Sequence, residues 1–553
     1  MLMNAAVGKP RFVAPWIESL QRGRSAVRWG TWLAGLSIVL VGCRGEGTAC
    51  ERCDVLVVAA TGEPSTLVPP LILETVGRDI SDYIYERLAN LKPGAPPGDS
   101  AAFEPGLAAA WARVDSLTWR FTLRSGAAWH NGAPVTSDDV VFSFAAYADT
   151  ALGSPGGAAL AGVSATADGP RQVLVRFPRP SADQLLDATY QVRVLPRALW
   201  DSIPRSRWGA DSSLATLVGS GPFRLAEWRR GQSLRLERID PVPGAIRQIV
   251  WRFAGDQDAA LNLVLAGEAD LLETATSPDA RARASRDTTV VLRPYPSAVF
   301  GFLGFRHADP AGRPHPILAE RAVRRALALA IDRQRLVSAV LGPEAAIPTG
   351  PMSRALWLWS DGDPRDSLDA AGANHLLDSL GWLRRPDGIR AHRGRRLAVD
   401  ILVPSTSGVR RQLAEGIQQM WRIIGVDATI TAVDFAIFQA RLRQGRFDAM
   451  IAASLDEPSP RGIAEQWSRA GWVGPNQIRY FNAEFESQAA TALAAPTPAE
   501  ARRLWGVALA TLRDDAPAVF LYSPTNVAVV TKRFATLPID PFSWLSRVGA
   551  WRP

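Results

Sequence analysis

The sequence predicts an α/β protein built from more than one lobe. Two observations carry that prediction. Apolar residues at helical spacing from Val409 to Ile424 are followed by a β-rich run, Val426 to Val433, and the same step recurs from Ala501–Leu512 to Pro517–Tyr522. Helices that alternate with strands build layered α/β architectures. The 553 residues exceed what one ordinary core accommodates, and length alone suggests about three domains.

Taken in order, the chain opens with an address. Arg22, Arg24 and Arg28 precede an apolar stretch from Trp29 to Val41 that ends at Gly42-Cys43. A positive region, an apolar region of this length and a small residue before the cut form the secretory pattern. The stretch is too short for a comfortable membrane span, which needs ~20 apolar residues. Leu40-Val41-Gly42-Cys43 resembles a bacterial lipobox, so residues 1–43 read as a lipoprotein signal peptide with Cys43 as the lipidated residue. Residues 1–21 lengthen the positive region unusually, which a start codon placed too early would explain. Residues 44–53 form a short polar tether. It holds Cys50 and Cys53, which read as a small disulfide in an oxidising compartment rather than as a redox motif, because the first strand, Val55 to Ala60, comes after them. No other cysteine exists in the chain, which rules out disulfides elsewhere and cysteine-based zinc sites.

Residues 118–123 alternate like a half-buried strand. Gly126 and Asn131-Gly132 mark turns, and Thr136-Ser137-Asp138-Asp139 supplies the chemistry of a helix start before Val140. Residues 221–238 read as a hairpin turning at Arg230-Gly231. Val323, Leu327, Ile331, Val337, Val340 and Leu341 predict a helix between Pro316 and Gly342, with its Arg-rich stretch 321–335 as a solvated face. The helix that ends at Ile424 has Gly425 in the position that favours a left-handed residue.

Composition excludes several functions. The net charge of +8 is scattered, and the densest basic clusters, Arg384-Arg385 and Arg393 to Arg396, lie beside turn residues with no interleaved aromatics. Nucleic acid is therefore not an expected partner. Nineteen Trp are expected mainly in cores, with a few in a ligand cleft. There is no phosphate-binding loop and no Gly-x-Ser-x-Gly elbow; Ser220 in Gly219-Ser220-Gly221 reads as a tight turn. The five His form no metal-binding pair, and His307 and His315 read as solvated loop residues. No metal, no cofactor and no catalytic residue is expected.

Several segments in series carry a family resemblance. They are Glu63-Pro64-Ser65-Thr66-Leu67, Ile84-Tyr85-Glu86-Arg87-Leu88, Pro105-Gly106-Leu107-Ala108 with Trp111, and His130-Asn131-Gly132-Ala133-Pro134-Val135-Thr136-Ser137-Asp138-Asp139-Val140. Gly219 to Phe223, Leu265 to Asp270, Val323 to Arg333, and Ile424-Gly425-Val426 leading to Gly445-Arg446-Phe447-Asp448 continue the series. Together, over residues 55–535, they resemble the family 5 extracellular solute-binding proteins, the peptide/nickel-binding components of ABC transporters.

The resemblance implies a class II periplasmic-binding-protein fold, with two lobes joined by a hinge and an extra subdomain. Lobe I would combine 54–80, 205–297 and 510–553, the extra subdomain would be 81–204, and lobe II 298–509. It implies capture of oligopeptides or peptide-like solutes in the periplasm or cell envelope, and delivery to an inner-membrane permease with separate ATPase subunits. The protein would be a monomer on a lipid anchor and not an enzyme. The same fold binding a saccharide or metal complex, or acting as an envelope sensor or chaperone, is the alternative. Implied ligand-binding residues are Asp456, Glu63, Trp467 and Tyr522. Asp456 best matches the carboxylate that pairs a peptide ammonium in the family. The family's usual Trp is missing from Ala452 to Pro458, and Arg306-His307 replaces its usual Asn.

Overall fold

The computed structural model describes residues 54–209, 215–240, 242–361, 368–534 and 539–545. The signal segment, the tether and all three cysteines lie outside them.

Val55–Ala60 is an unbroken apolar run with four consecutive buried residues, the pattern of a strand covered on both faces. It lies inside a seven-stranded sheet, parallel to Gln248–Phe253 on one side and Leu271–Leu272 on the other. Beyond Gln248–Phe253 come Ser233–Arg238 and then Phe223–Arg229, the expected hairpin, with Gly231 at φ 71° in its turn. On the other side follow Thr525–Thr531 and Val290–Pro296.

A second sheet of five strands has the order Asp427–Val433, Ala398–Pro404, Ala449–Leu455, Val299–Phe305, Ala518–Tyr522. The first three are mutually parallel, and Val299–Phe305 runs antiparallel to both its neighbours. The helix Gly408–Ile423 crosses between two parallel strands and buries Leu413, Ile417 and Trp421 against them. It ends at Gly425, whose φ of 85° costs a residue without Cβ little.

Residues 81–204 hold a third sheet of four strands, Ala108–Arg113, Thr118–Leu123, Gln172–Arg176 and Ser164–Ala167. The helix Ser137–Ala148 covers it, and Phe121, Val140, Phe144 and Val173 share its core. The helix starts as the sequence predicts: the Thr136 N–H donates to the Asp139 carboxylate at 2.8 Å. Three layered sheet regions with two α/β lobes are the architecture expected from the alternating pattern.

Four expectations are corrected. The single helix between Pro316 and Gly342 is two helices, Arg321–Leu329 and Arg333–Leu341. Asp332 breaks it, because its carboxylate accepts from the Arg335 N–H at 3.0 Å and caps a new start. The Arg-rich stretch is not wholly a solvated face: Arg324 is only 3% exposed. His307 and His315 are not solvated either. His315 is 4% exposed; its Nδ1 accepts from the Ile317 and Leu318 N–H groups and its Nε2 meets Asp448 at 2.9 Å. Burial pulls the His307 imidazole well below its ordinary value, with Arg324 adding to the effect, so it is neutral at pH 7. The chain also returns to the seven-stranded sheet only at Thr525, later than the 510 expected, because helix Pro498–Asp515 and strand Ala518–Tyr522 complete the five-stranded sheet.

Candidate functional site

The two lobes are joined by two adjacent crossings. Val290–Pro296 pairs antiparallel with Thr525–Thr531 in one sheet, and their continuations Val299–Phe305 and Ala518–Tyr522 pair antiparallel in the other. The connecting residues are therefore 297–298 and 523–524. They are laced together: the Ser297 N–H donates to the Pro524 carbonyl at 3.1 Å, and the Ser523 hydroxyl to the Val299 carbonyl at 3.3 Å. A pair of short links between packed bodies is the geometry of a hinge.

Beside the hinge a cavity of about 930 Å³ opens between the parts it joins. The first lobe supplies Ser220, Pro222 and Phe542 to its wall, the subdomain supplies Tyr85, Arg124, Trp129 and Tyr190, and the second lobe supplies Ala355, Trp357 and Pro458. Such a volume stands at the upper end of the ~300–1,000 Å³ usual for small-molecule sites. Its wall mixes aromatic faces with fixed charges. Arg124 grips Glu86 through two bonds of 2.8 Å. A small polar annex leads off it between Asp79, Asp82, Arg87, Arg193 and Glu457. Burial opposes the ionisation of Asp82, but Arg193 and Arg87, at 2.5 and 3.0 Å, outweigh it and hold the carboxyl below its ordinary value. Asp79 is pushed well up by burial and by the neighbouring charges of Glu273 and Asp82. Glu273 itself is pushed up to about 7 by burial, with Arg78 opposing.

The four expected ligand residues do not converge. Asp456 adjoins the hinge: its N–H donates to the Ala298 carbonyl at 2.7 Å, and its carboxylate accepts from the Ser353 N–H at 2.5 Å. The next residue, Arg354, donates its N–H to the Ser523 hydroxyl at 2.9 Å. Burial pushes the Asp456 carboxyl up to about 7, with the Ser353 bonds opposing, and no cation among the described residues compensates it. Tyr522 enters the same crossing, and its ring lies over Gly301 so closely that a Cβ there would stand 2.1 Å from Cε1. Glu63 is elsewhere: its carboxylate accepts from Trp228 Nε1 and the Gly231 N–H, both at 2.7 Å, and braces the hairpin. Trp467 is 1% exposed and packs edge-on against Phe302 and Phe520 in the core of the second lobe. The cavity wall includes none of these four.

Several wall residues escape the sequence reading. Tyr85, Glu86, Arg87 and His130 stand inside segments that carry the family resemblance, so their positions were visible but their facing was not. Trp357 lies in an irregular segment with no periodicity to orient it.

The uncompensated Asp456 gives a test with two opposite signs. Its folded-state pKa is raised above the unfolded value of ~4, so the stability it allows is full below that pH and is lost as pH rises through about 7. A cationic ligand group needs the ionised form, so its affinity strengthens over the same rise. Asp456→Asn should therefore raise the melting temperature of the ligand-free protein at pH above 7 by about 2 °C. It should also weaken a cationic ligand at least about tenfold. Calorimetry and titration that find neither change would end the candidacy of Asp456 as a ligand residue.

Residues 102–474 match the family model described as bacterial extracellular solute-binding proteins, family 5 Middle. The oligopeptide-binding protein AppA of Bacillus subtilis (strain 168) is 22% identical over 556 residues, spanning 96% of this chain and 99% of that protein. The solved structure of AppA from Bacillus subtilis in complex with a nonapeptide superposes with a TM-score of 0.71 at 21% identity, covering 90% of this chain and 98% of that one. NikZ from Campylobacter jejuni in complex with Ni(L-His) gives a TM-score of 0.71 at 19% identity, over 91% and 100%.

Proposed function

The chain belongs to the bacterial extracellular solute-binding proteins of family 5, and from that premise we propose that it captures oligopeptides or peptide-like solutes and hands them to a membrane permease. The cavity of about 930 Å³ beside a two-link hinge is the observation that carries the reading. A bare metal ion or single amino acid would leave most of it to water, whereas an extended peptide of several residues presents main-chain groups along its length. The mixed wall suits such a ligand: aromatic faces tolerate varied side chains, and ordered water bridges the rest.

The permease would be the inner-membrane part of an ABC transporter with separate ATPase subunits. In this reading Cys43 carries the lipid that holds the protein in the cell envelope, Cys50 and Cys53 close a small disulfide in the tether, and the protein works as a monomer that binds without catalysing. No helix of the described residues is long and apolar enough to cross a membrane. A chelated metal is the second reading, supported by the likeness to the Ni(L-His) complex of NikZ. Among the described residues no three His, Cys, Asp or Glu side chains are grouped to hold a metal directly, so the chelator itself would have to be recognised.

Native mass spectrometry of the purified full-length protein, before and after mild denaturation, tests the proposal. Release of species of short-peptide mass is the expected result. A protein that releases nothing, and that no peptide pool stabilises thermally, would overturn it.

A further inference from the structure

The subdomain meets its two neighbours differently: among the described residues, an enclosed ionic cluster spans only its joint with the second lobe. Towards the first lobe it shares an apolar core, in which Phe142, Leu195 and Trp200 pack with Leu56, Ile80 and Trp208. Towards the second lobe an apolar strip, in which Gly98 and Ala182 face Trp357, Pro498 and Trp505, lies beside an ionic cluster. Arg461 opens the helix Arg461–Gln466 and reaches Asp187 at 2.6 Å and Asp183 at 3.6 Å, at the start of the helix Gln184–Tyr190. The Ser459 hydroxyl donates to Asp183, the Gln191 amide to Glu457 at 3.2 Å, and the Ala182 N–H to the Leu493 carbonyl at 3.1 Å. The cluster is enclosed: the side chains of Asp183, Asp187 and Arg461 are 5, 8 and 17% exposed. It flanks the cavity, since Tyr190 and Pro458 line the wall.

We propose that Arg461 is the clasp of the closed form, seated between Asp183 and Asp187 when subdomain and second lobe meet and withdrawn when solute enters or leaves. This rests on the capture reading above, because only a protein that opens and closes needs such a contact. The chemistry suits a separable joint. An apolar core exposed on opening loses its driving force, so the subdomain travels with the first lobe. Ionic partners rehydrate when they part, and interfaces of this kind permit relative motion. Within the closed form the clasp still has a direction, because leaving one buried charge without its partner is heavily penalised.

One guanidinium faces two enclosed carboxylates, which adds a dependence on pH. Burial pushes the Asp187 carboxyl up to about 8 against the opposing pull of Arg461, and Asp183 is raised by burial in the same way. Glu457, Glu465, Arg179 and Tyr190 are the other charged or titratable groups coupled to the cluster. A carboxyl that titrates higher when closed than when open favours closure at low pH, and that contribution is lost as pH rises through about 8.

Hydrogen exchange of the full-length protein, read by mass spectrometry with no solute added, tests the clasp. The amide of Ala182 bonds across the joint and reports its opening. Arg461→Met is expected to speed its exchange at least about tenfold, while amides inside the two large sheets keep their protection. In the parent protein, protection of Ala182 should fall between about pH 6 and about pH 9, after correction for intrinsic exchange. Asp187→Asn should keep the joint closed and abolish that fall. If Arg461→Met does not fold, Arg461→Lys takes its place, since it keeps the charge, loses the two-pronged fork and should give intermediate exchange. Unchanged exchange at Ala182 in a folded Arg461 variant overturns the clasp, even if peptides bind. An exchange response in a protein that no peptide pool stabilises would leave the clasp standing and overturn only the choice of peptides as the captured solute.

Discussion

Gly219→Ala is expected to cost more than about 3 kcal/mol and to abolish stable packing of the subdomain on the first lobe. A Cβ at Gly219 would stand 1.7 Å from the carbonyl oxygen of Ile84, and one at Gly221 would stand 2.3 Å from that of Tyr83. Both obstacles are backbone atoms, which have no rotamer to change. Ile84 ends the helix Thr75–Ile84 and is fully buried, so the helix cannot retreat. The same turn is stapled to the subdomain: the His130 N–H donates to the Gly219 carbonyl at 2.8 Å, and its Nε2 meets the Gly221 carbonyl at 3.0 Å. Pushing residues 219–221 outwards would break these bonds and distort the cavity wall that includes Ser220 and Gly221. Urea unfolding measures the effect. Gly255→Ala is the control, because nothing lies within 4 Å of its Cβ position, and a change within about 0.5 kcal/mol is expected there. Equal midpoints for Gly219→Ala and the parent protein would refute the close approach.

Arg324→Met should cost about 3 kcal/mol. The guanidinium donates to four carbonyls, those of Leu318, Ala319, Asp515 and Ala516, at 2.6 to 3.0 Å. Two of them close the end of the helix Pro498–Asp515, where carbonyls have no partners within the helix and a cation is favoured. Burial lowers the Arg324 pKa to about 10, with Asp515 opposing, so the charge persists at neutral pH. Methionine keeps the apolar stem but leaves the carbonyls enclosed and unpaired. Lysine keeps the charge without the planar fork and should recover only part of the loss. Thermal unfolding of both variants, beside the exposed neighbour Arg325→Met, checks the ranking. A loss at Arg325 as large as that at Arg324 would mean that charge, not the four bonds, is responsible.

What the sequence made legible was local. Val55–Ala60, Thr118–Leu123, the hairpin turn at Gly231, the Thr136–Asp139 start and Gly425 were readable because each rests on neighbours a few residues away. The lobed fold was readable because ordered segments from Glu63 to Asp448 resemble those of one family. Facing was not readable. Arg324 and Arg325 are adjacent and identical, yet one is enclosed by a helix end that arrives nearly two hundred residues later. Trp467 read as a cleft aromatic, but Phe302 and Phe520 from distant strands enclose it. Asp332 had the composition of a helix interior by spacing and the behaviour of a cap by hydrogen bonding. Trp357 offered no pattern at all, and only the meeting of three regions makes it a wall.

The position of Thr525–Thr531 has a consequence for the order in which the molecule is made. It is the last long strand of the described chain, yet it stands inside the seven-stranded sheet, between Leu271–Leu272 and Val290–Pro296. During synthesis the whole five-stranded sheet can pair once Tyr522 has emerged. The sheet begun first, at Val55, is the one that finishes last. Until its inner strand arrives, Val290–Pro296 has no partner on that side and waits with open backbone groups. The first lobe therefore completes its sheet only when almost all of the described chain exists, so its closure waits on pairings between residues more than two hundred positions apart.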